Sequence, residues 1–422
     1  MMFGGKRAIV LMMFAMLLTL FSGCSPSSSD SGQTELKIWT HPFLGGEKLN
    51  NQEDEFWKKV IAEFEKKHPG VKVNLQVLPW GNREEKILTA ISSNSGPDVF
   101  YAIPDMMADY KAKGILAPMD EYLDKNDLRD FNDNALAAAR HEGKLYGLPI
   151  LQSVVTNYYN VDLLKEIGAN PDDLPETWDE LIALGPKMKE KKKFLLNFEG
   201  GGSPNERLYP WLWQAGGDVV DEQGNVMINS EEAKKTYRLI SDMYKKGYIS
   251  KDSPTAANTG IQEFLAGKLA VFIGPNNFAA IFKDQPPEFE WKLGPILKDK
   301  EQATFGTTGF YVIPGNSKNK ELAAEFIKLL TNKENMSQFC KMAGYIPPRK
   351  SAADLYKGDP VMEMLVEQSK LTRPGVLHPV ARQIIPAVKA SYQQVMTGKA
   401  SVDQALSELE KSIRQTIEQN GS

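Results

Sequence analysis

The segment at residues 143–162, GKLYGLPILQSVVTNYYNVD, constrains the fold more than any other stretch of the chain. β-branched and aromatic residues crowd positions 154–159, which favours an extended strand over a helix. Pro149 excludes a helix at Leu148 and separates this run from an earlier extended run at 144–149. The segment therefore predicts a chain that leaves one compact lobe in extended form and enters a second lobe.

Length and composition limit the number of lobes and the classes of partner that the chain can have. A chain of 422 residues exceeds what one hydrophobic core organises comfortably, which also predicts two lobes. The net charge of -4 argues against a nucleic acid partner, since such a partner requires a basic face. Two cysteines cannot form a disulfide framework, and the four histidines lie too far apart for metal-ligand spacing. We therefore expect no metal and no cofactor.

The N-terminus is typical of an exported protein. Lys6 and Arg7 precede an apolar run at 8–21, which is short for a membrane span but suits the core of a signal peptide. The run ends in Ser22-Gly23-Cys24, which resembles the bacterial lipobox, although Phe21 stands where a leucine is usual. The resemblance implies that Cys24 carries a lipid; the alternative is an ordinary secretory signal with an incidental cysteine. The polar residues that follow predict a flexible tether.

The first hundred residues after the tether alternate between strand and helix patterns. Strands are predicted at 35–40, 71–78 and 98–102, and amphipathic or capped helices at 53–68, 83–93 and 104–113. Such alternation predicts a mainly parallel sheet covered by helices on both faces. Ligands of such sheets bind beyond the carboxyl ends of the strands, where this chain has His41, Trp80 and Tyr101.

The second half of the chain is more helical. Thr177 and Glu180 form a capping box at the start of one helix, and Ser230 caps a longer helix that extends to Lys246. Two further extended pieces, at 306–314 and 345–349, predict a second and a third crossing between the lobes. Cys340 would then remain unpaired in the mature chain, and we expect it to fill a small buried space.

Six short blocks in register resemble the extracellular solute-binding proteins of bacterial ABC importers, in the maltose- and oligosaccharide-binding branch. The blocks are ELKIWT at 35–40, SGPDV at 95–99, GKLYGLP at 143–149 with YN at 159–160, TWDE at 177–180, GKLAV at 267–271 and NKELA at 319–323. The resemblance implies a two-lobed periplasmic-binding-protein-like α/β fold, with two mixed, mainly parallel sheets, flanking helices and a hinge of three crossing segments. It divides the chain into a signal peptide at 1–23, a tether at 24–34, an N-terminal lobe at 35–148 and 307–344, and a C-terminal lobe at 149–306 and 345–422.

The resemblance also implies a function. A monomer, anchored to the outer face of the cell membrane through Cys24, would capture a carbohydrate between its lobes and pass it unchanged to ABC permease subunits. Sugars are bound by aromatic platforms and by side chains that form directional hydrogen bonds. The matching positions are His41, Trp80, Tyr101, Asp105, Gln152, Ser153, Trp211, Trp213, Asn276, Asn277, Thr308, Gly309, Phe310 and Arg349.

Several of these residues have a second interpretation. Of Trp211 and Trp213, two residues apart on a helix, we expect one to face the ligand and the other to pack in the core. Asp105 falls in the first turn of a helix, where the helix dipole alone favours a carboxylate. Asn276 stands where relatives often carry a tryptophan, and Arg349 is equally compatible with a surface position.

The ligand and the function class have alternatives too. An uncharged oligosaccharide is the first prediction, and a sugar–amino acid conjugate of the fructosamine type is the second, with Arg349, Arg207 or Asp105 as partners for its charged ends. An anchored glycoside hydrolase would need two facing carboxylates, and no local pattern marks such a pair. An anchored adhesin would bind a partner protein and would not change shape with a small ligand.

Overall fold

The computed structural model describes residues 33–44 and 47–420 of the chain. The predicted signal peptide, Cys24 and most of the predicted tether lie outside the described residues. Within the described part, every helix is too short or too polar to span a bilayer.

Strands and helices are numbered here along the chain. The strands are β1 Thr34–Thr40, β2 Val71–Val77, β3 Val99–Ala102, β4 Arg140–His141, β5 Lys144–Leu145, β6 Gly147–Gln152, β7 Val155–Asn160, β8 Phe194–Leu196, β9 Leu269–Pro275, β10 Trp291–Gly294, β11 Thr304–Phe305, β12 Thr308–Val312 and β13 Thr372–Arg373. The helices are α1 Glu47–Lys67, α2 Arg83–Ser92, α3 Pro104–Ala112, α4 Lys125–Asp130, α5 Asp133–Ala137, α6 Val161–Glu166, α7 Trp178–Ala183, α8 Gly185–Glu190, α9 Pro204–Arg207, α10 Tyr209–Gln214, α11 Glu231–Lys246, α12 Gly260–Leu265, α13 Phe278–Asp284, α14 Lys320–Leu330, α15 Lys333–Ala343, α16 Pro360–Gln368, α17 Ala381–Met396 and α18 Val402–Asn420.

Two sheets organise the molecule. The first has the order β2-β1-β3-β12-β6, and the second has the order β10-β7-β9-β8. In the first sheet β1 pairs in parallel with β2 and β3, whereas β12 is antiparallel to both β3 and β6. In the second sheet only β8 and β9 are parallel. Both sheets are therefore mixed, as predicted, but parallel pairs are not the majority. The antiparallel strands β6, β7 and β12 adjoin the crossings, and their direction is set by the passage between the lobes.

Each sheet has its own hydrophobic core. One core joins β1, β3, β6 and β12 to helices α1, α14 and α15. Two further clusters surround the second sheet and include residues of α10, α11, α16, α17 and α18. The division of sheets and cores matches a two-lobed α/β fold, while the lobe boundaries given by the sequence remain a prediction.

The three crossings are hydrogen-bonded to one another. The backbone of Gln152 on the first crossing exchanges hydrogen bonds of 2.8 and 2.9 Å with Ile346 on the third. Ser153 N donates to Thr307 O at 2.8 Å, and Thr307 N donates to Ser153 Oγ at 3.1 Å, which ties the first crossing to the second. The hinge therefore consists of adjacent extended segments and not of independent linkers.

Local sequence signals account for the element ends. Thr177 accepts from Glu180 N and Glu180 accepts from Thr177 N, which completes the predicted capping box of α7. Ser230 caps α11, which ends at Gly247 in the left-handed conformation. Cys340 is fully buried, as expected, with its Sγ 3.4 Å from Ile150 O.

Candidate functional site

A cavity of about 480 Å³ lies between the two sheets. Its first-lobe wall follows the carboxyl ends of β1, β2 and β3, and its second-lobe wall follows β8 and β9. The crossings contribute Ser153, Thr307 and Tyr345 to the floor between the walls. Ligands of open α/β sheets bind in this position, beyond the carboxyl ends of the strands.

The first-lobe wall is aromatic. Trp80 is 44% exposed, its ring stacks on His41 with centroids 4.5 Å apart, and its Nε1 donates to Pro42 O at 2.7 Å. Phe43 and Tyr101 meet the Trp80 ring edge-on at 5.4 and 6.0 Å. The hydrogen bond and the packed rings fix the orientation of Trp80, so that an exposed indole is presented to the cavity in one conformation.

His41 supports this wall from behind. It is 1% exposed, and its Nδ1 donates to Leu78 O at 2.8 Å. Burial lowers the pKa of His41 from 6.5 to about 4, an effect that its hydrogen bond to Leu78 only partly opposes. The imidazole is therefore neutral at physiological pH, and it packs against Trp80 as an aromatic ring and not as a cation.

Arg83, the first residue of α2, follows Trp80 by three positions and also lines the cavity. Its guanidinium carbon lies 4.8 Å from the centroid of the Trp80 ring. The residue is 9% exposed, and Nη1 is buried without a hydrogen-bond partner in the part of the chain that the structure describes. Burial lowers the pKa of Arg83 below its ordinary value, but a guanidinium stays charged in a protein.

The second-lobe wall holds a buried ion pair. Arg207 Nη2 lies 2.5 Å from Glu199 Oε2, and Arg207 Nη1 donates to Ile273 O at 3.0 Å. The other oxygen of Glu199 accepts from the backbone nitrogens of Thr259 and Gly260 at 2.5 and 2.9 Å. Both oxygens of Glu199 are therefore occupied by bonds within the second lobe.

Polar contacts also join the lobes across the cleft. Arg382 on α17 donates to Glu84 at 2.9 Å and to Asp105 at 3.1 Å. Asn205 Nδ2 donates to the same Asp105 oxygen at 3.4 Å. Asp105 therefore acts as an acceptor between the lobes, and in this conformation the lobes touch.

A second cavity of about 540 Å³ lies elsewhere in the cleft. Its lining includes Lys111 and His141 from the first lobe and Glu222 from the second, with Gln152 and Thr308 at the hinge. It has no tryptophan and no phenylalanine in its lining, so it offers no large ring as a platform for a sugar face. The first cavity is therefore the candidate site.

The structure brings part of the predicted set together. Trp80, Tyr101, Ser153 and Asn277 line the first cavity. His41 and Asp105 do not line this cavity themselves. His41 contacts the lining residue Trp80, and Asp105 contacts the lining residue Arg382. Gln152 and Thr308 line the second cavity instead.

In contrast to the prediction that one of Trp211 and Trp213 faces the ligand, the structure places both away from the first cavity. Both are buried in the second core, at 4% and 1% exposure, and neither lines the cavity. Trp211 packs against Trp178, and Trp213 packs against Tyr209 and donates to Asp218. Helix α10 is buried on all sides, so it has no face that is open to a ligand.

Four other predicted residues have structural roles. Asn276 is fully buried and ties two crossings together, accepting from Val154 N and donating to Gly344 O. Arg349 is buried and pairs with Asp127 and Asp130, and no atom of it lines the first cavity. Gly309 and Phe310 lie inside β12. A Cβ at Gly309 would overlap the Tyr101 ring, so glycine there makes room for the cavity wall.

Sequence reasoning missed Arg83, Glu199, Asn205 and Arg382 as lining residues. Glu199 could have been found, since it follows strand β8 just as Trp80 follows β2. Arg83 also had a signal, its position three residues after Trp80 at a helix start. No sequence signal marks Arg382, because its partners Asp105 and Glu84 lie 277 and 298 residues away in the chain. Among the described residues no cluster of three or more histidine, cysteine or acidic side chains could hold a metal.

The model of the bacterial extracellular solute-binding protein family matches residues 50–337, more than half of the chain. The chain belongs to this family. Its members are bacterial extracellular solute-binding proteins. The solute-binding protein is 26% identical to the galactooligosaccharide-binding protein of Bacillus subtilis, over 98% of this chain and 97% of that relative. It is 27% identical to the arabinooligosaccharide-binding protein of the same organism, over 82% of this chain and 81% of that relative.

Solved structures share the fold. The substrate-binding protein Lmo0181 of Listeria monocytogenes, in complex with cycloalternan, superposes with a TM-score of 0.79 at 22% identity, covering 91% of this chain and 99% of that one. The maltotriose binding protein of Thermus thermophilus superposes with a TM-score of 0.75 at 21% identity, covering 90% of this chain and all of that one. These likenesses show a periplasmic-binding-protein-like fold for the solute-binding protein.

Proposed function

We propose that this solute-binding protein captures an oligosaccharide in the cavity between its lobes and delivers it, unchanged, to the permease of an ABC transporter. The observation that carries the proposal is the cavity itself, which combines a fixed, exposed indole on one lobe with buried directional polar groups on the other. An indole packs on the apolar C–H face of a sugar, and carboxylates, amides and guanidinium groups bind its hydroxyls.

The relatives support a saccharide as the ligand. Two of them are an arabinooligosaccharide- and a galactooligosaccharide-binding protein, and a third binds diacetylchitobiose. Structural neighbours hold cycloalternan, acarbose or maltotriose. Ligands of this size would contact both lobes together only when the lobes meet, so binding would favour the closed conformation.

The location is a separate part of the proposal. We infer that the mature chain is a monomer held at the outer face of the cell membrane by a lipid on Cys24, because Ser22-Gly23-Cys24 ends an apolar run and precedes a polar tether. Replacing Cys24 by serine should release the protein into the medium of a Gram-positive expression host, while the native chain stays in the membrane fraction. Equal amounts of both proteins in the medium would contradict the anchor.

The alternatives can be tested in the same preparation. A glycoside hydrolase needs two carboxyl groups free to act on a sugar, whereas Glu199 already accepts bonds from Arg207 and from two backbone amides. Chromatography of an incubated oligosaccharide should therefore show no shorter product. An adhesin would bind its partner with no change in shape, whereas X-ray scattering should show a smaller radius of gyration when this protein binds its sugar.

The deciding experiment is a thermal-shift screen of the purified protein. It should compare arabino-, galacto-, malto- and chitooligosaccharides with monosaccharides, fructosyl amino acids, free amino acids and peptides. A ligand that binds only the folded state raises the melting temperature according to its concentration and affinity. Stabilisation by a saccharide, confirmed by calorimetry, supports the proposal; stabilisation by peptides or amino acids alone contradicts it.

A further inference from the structure

Arg83 differs from every other cation that lines the first cavity. Arg207 is paired with Glu199, and Arg382 is paired with Glu84 and Asp105. Across the described residues, the Arg83 guanidinium forms no ion pair and no hydrogen bond. Its Nη1 is enclosed without a hydrogen-bond partner among the described residues, and its guanidinium carbon lies 4.8 Å from the centroid of the Trp80 ring.

Among the described residues no carboxylate pairs directly with Arg83, although the charge of Asp105 attracts it from beyond ion-pair distance. Asp105 Oδ1 accepts from Met106 N, and its Oδ2 accepts from both Asn205 and Arg382. Glu84, the neighbour of Arg83 in sequence, turns to Arg382. Among the described residues that line the cavity, Arg83 is therefore the one guanidinium without a direct carboxylate partner.

Burying a charge without a direct partner is costly, and a ligand that supplies the partner reduces that cost. Sugar hydroxyls can accept hydrogen bonds from Arg83, but they carry no charge to pair with the guanidinium. A planar guanidinium presents two parallel N–H groups, which match the two oxygens of a carboxylate in distance and direction. The guanidinium carbon lies 4.8 Å from the centre of the indole, so a ligand whose carboxylate binds Arg83 would also reach Trp80.

We propose that the saccharide captured here carries a carboxylate, which Arg83 binds while the sugar ring beside it packs on Trp80. The inference rests on the proposed function and specifies its ligand class. The carboxylate could belong to a uronic acid residue or to an amino acid joined to the sugar. Both sources present the same group to Arg83, and they differ in what the rest of the ligand offers to the second lobe.

The test compares matched ligands by isothermal titration calorimetry on the full mature protein. Galacturonate, glucuronate and mannuronate oligosaccharides are each paired with the neutral oligosaccharide of the same sugar and length. Fructosyl amino acids are paired with the corresponding fructosyl amines, which lack the carboxylate. In at least one pair we expect the acidic member to bind at least tenfold more tightly, and the pair identifies the source of the carboxylate.

Variants then assign the preference to Arg83. Arg83→Gln should reduce the acid-to-neutral ratio to about one, because both members of a pair then meet the same uncharged side chain. Arg83→Lys retains the charge but not the two parallel N–H groups, so it should keep part of the preference for the acidic ligand. Lys86→Gln removes an exposed cation from the same helix, outside the cavity, and should leave the ratio unchanged. Thermal melts of each variant without ligand establish that it is folded.

The outcomes separate this inference from the function on which it rests. Tight binding of a neutral oligosaccharide, with no preference for any acidic counterpart, overturns the carboxylate and leaves the sugar-binding function standing. A preference that survives in Arg83→Gln overturns the role of Arg83. Failure of every saccharide to bind overturns the proposed function, and this inference with it.

Discussion

The two walls of the cavity hold buried charge differently. On the second lobe, Arg207 pairs with Glu199 and both bond to the backbone, although Arg207 Nε is buried without a hydrogen-bond partner among the described residues. On the first lobe, Arg83 has no ion pair among the described residues, and Trp80 is exposed. One guanidinium is paired within the protein, and on our proposal the other is paired by the ligand. Replacing Arg207 should therefore affect folding first, and replacing Arg83 or Trp80 should affect binding first.

The sharpest test of this contrast is Arg207→Ala. Removing one partner of a buried ion pair leaves the other charge desolvated, so the free energy of unfolding should fall by about 3–5 kcal/mol. Urea denaturation followed by circular dichroism measures the loss. Arg414→Ala is the matched control, because its pair with Glu410 lies on the surface of α18 and should contribute less than about 1 kcal/mol. Similar losses in both variants would contradict the view that the second wall stabilises the fold.

The first wall depends on a neutral His41. Its pKa is about 4 in the folded protein and 6.5 when unperturbed, so the unfolded chain takes up a proton first as the pH falls. This contribution to stability is complete above pH 6.5 and is lost as the pH falls towards 4, by on the order of 2–3 kcal/mol. Urea denaturation at pH 7 and pH 4.5 should show a smaller pH effect in His41→Gln than in the native protein. An equal pH effect in both would exclude His41 as its source.

Arg382 joins the two walls, and its replacement tests whether the contact favours closure. Arg382→Gln loses charge-assisted bonds to Glu84 and Asp105, which should cost about 1.5 kcal/mol of ligand affinity, or roughly tenfold. X-ray scattering of the unliganded variant should also give a larger radius of gyration. Arg382→Lys keeps the charge, so its ligand affinity and radius of gyration should lie between those of the native protein and Arg382→Gln. Unchanged affinity and scattering would show that the contact is neutral for closure.

The smallest effect is expected at Trp80. Trp80→Ala should lower ligand affinity by about 1 kcal/mol, since it removes an aromatic surface from the site. Its effect on unfolding should be small, because the side chain is 44% exposed. Trp80→Phe keeps a ring and should retain part of the affinity. Equal ligand affinities for the native protein, Trp80→Ala and Trp80→Phe would contradict the role of Trp80 as an aromatic platform.

Patterns that are local in sequence predicted the architecture well. The caps at Thr177 and Ser230 lie where the helices begin, and the β-branched run at 154–159 is strand β7. The positions of Trp80 and Tyr101 beside the cavity followed from one rule, that ligands bind where parallel strands end. Applying that rule requires only the positions of the strands along the chain, and the alternation of apolar and polar residues indicates them.

The errors concern residues whose environment is set by distant parts of the chain. Arg349 pairs with Asp127 and Asp130, 222 and 219 residues earlier, and Asn276 bonds to Val154 and Gly344. Trp211 is enclosed by helices and strands that a helical period cannot foresee. The lack of a partner at Arg83 is equally invisible in sequence, because it depends on Glu84 and Asp105 turning to Arg382.

The burial of Cys340 has a practical consequence. Its thiol is fully enclosed, and burial raises its pKa far above the ordinary value, so the reactive thiolate is suppressed. Cys340 is the only cysteine in the described part of the chain. In a soluble version that begins after Cys24, a cysteine introduced at the rim of the cleft could take up a fluorophore selectively. The natural thiol would stay silent, and the labelled protein could report its solute as a change in light emission.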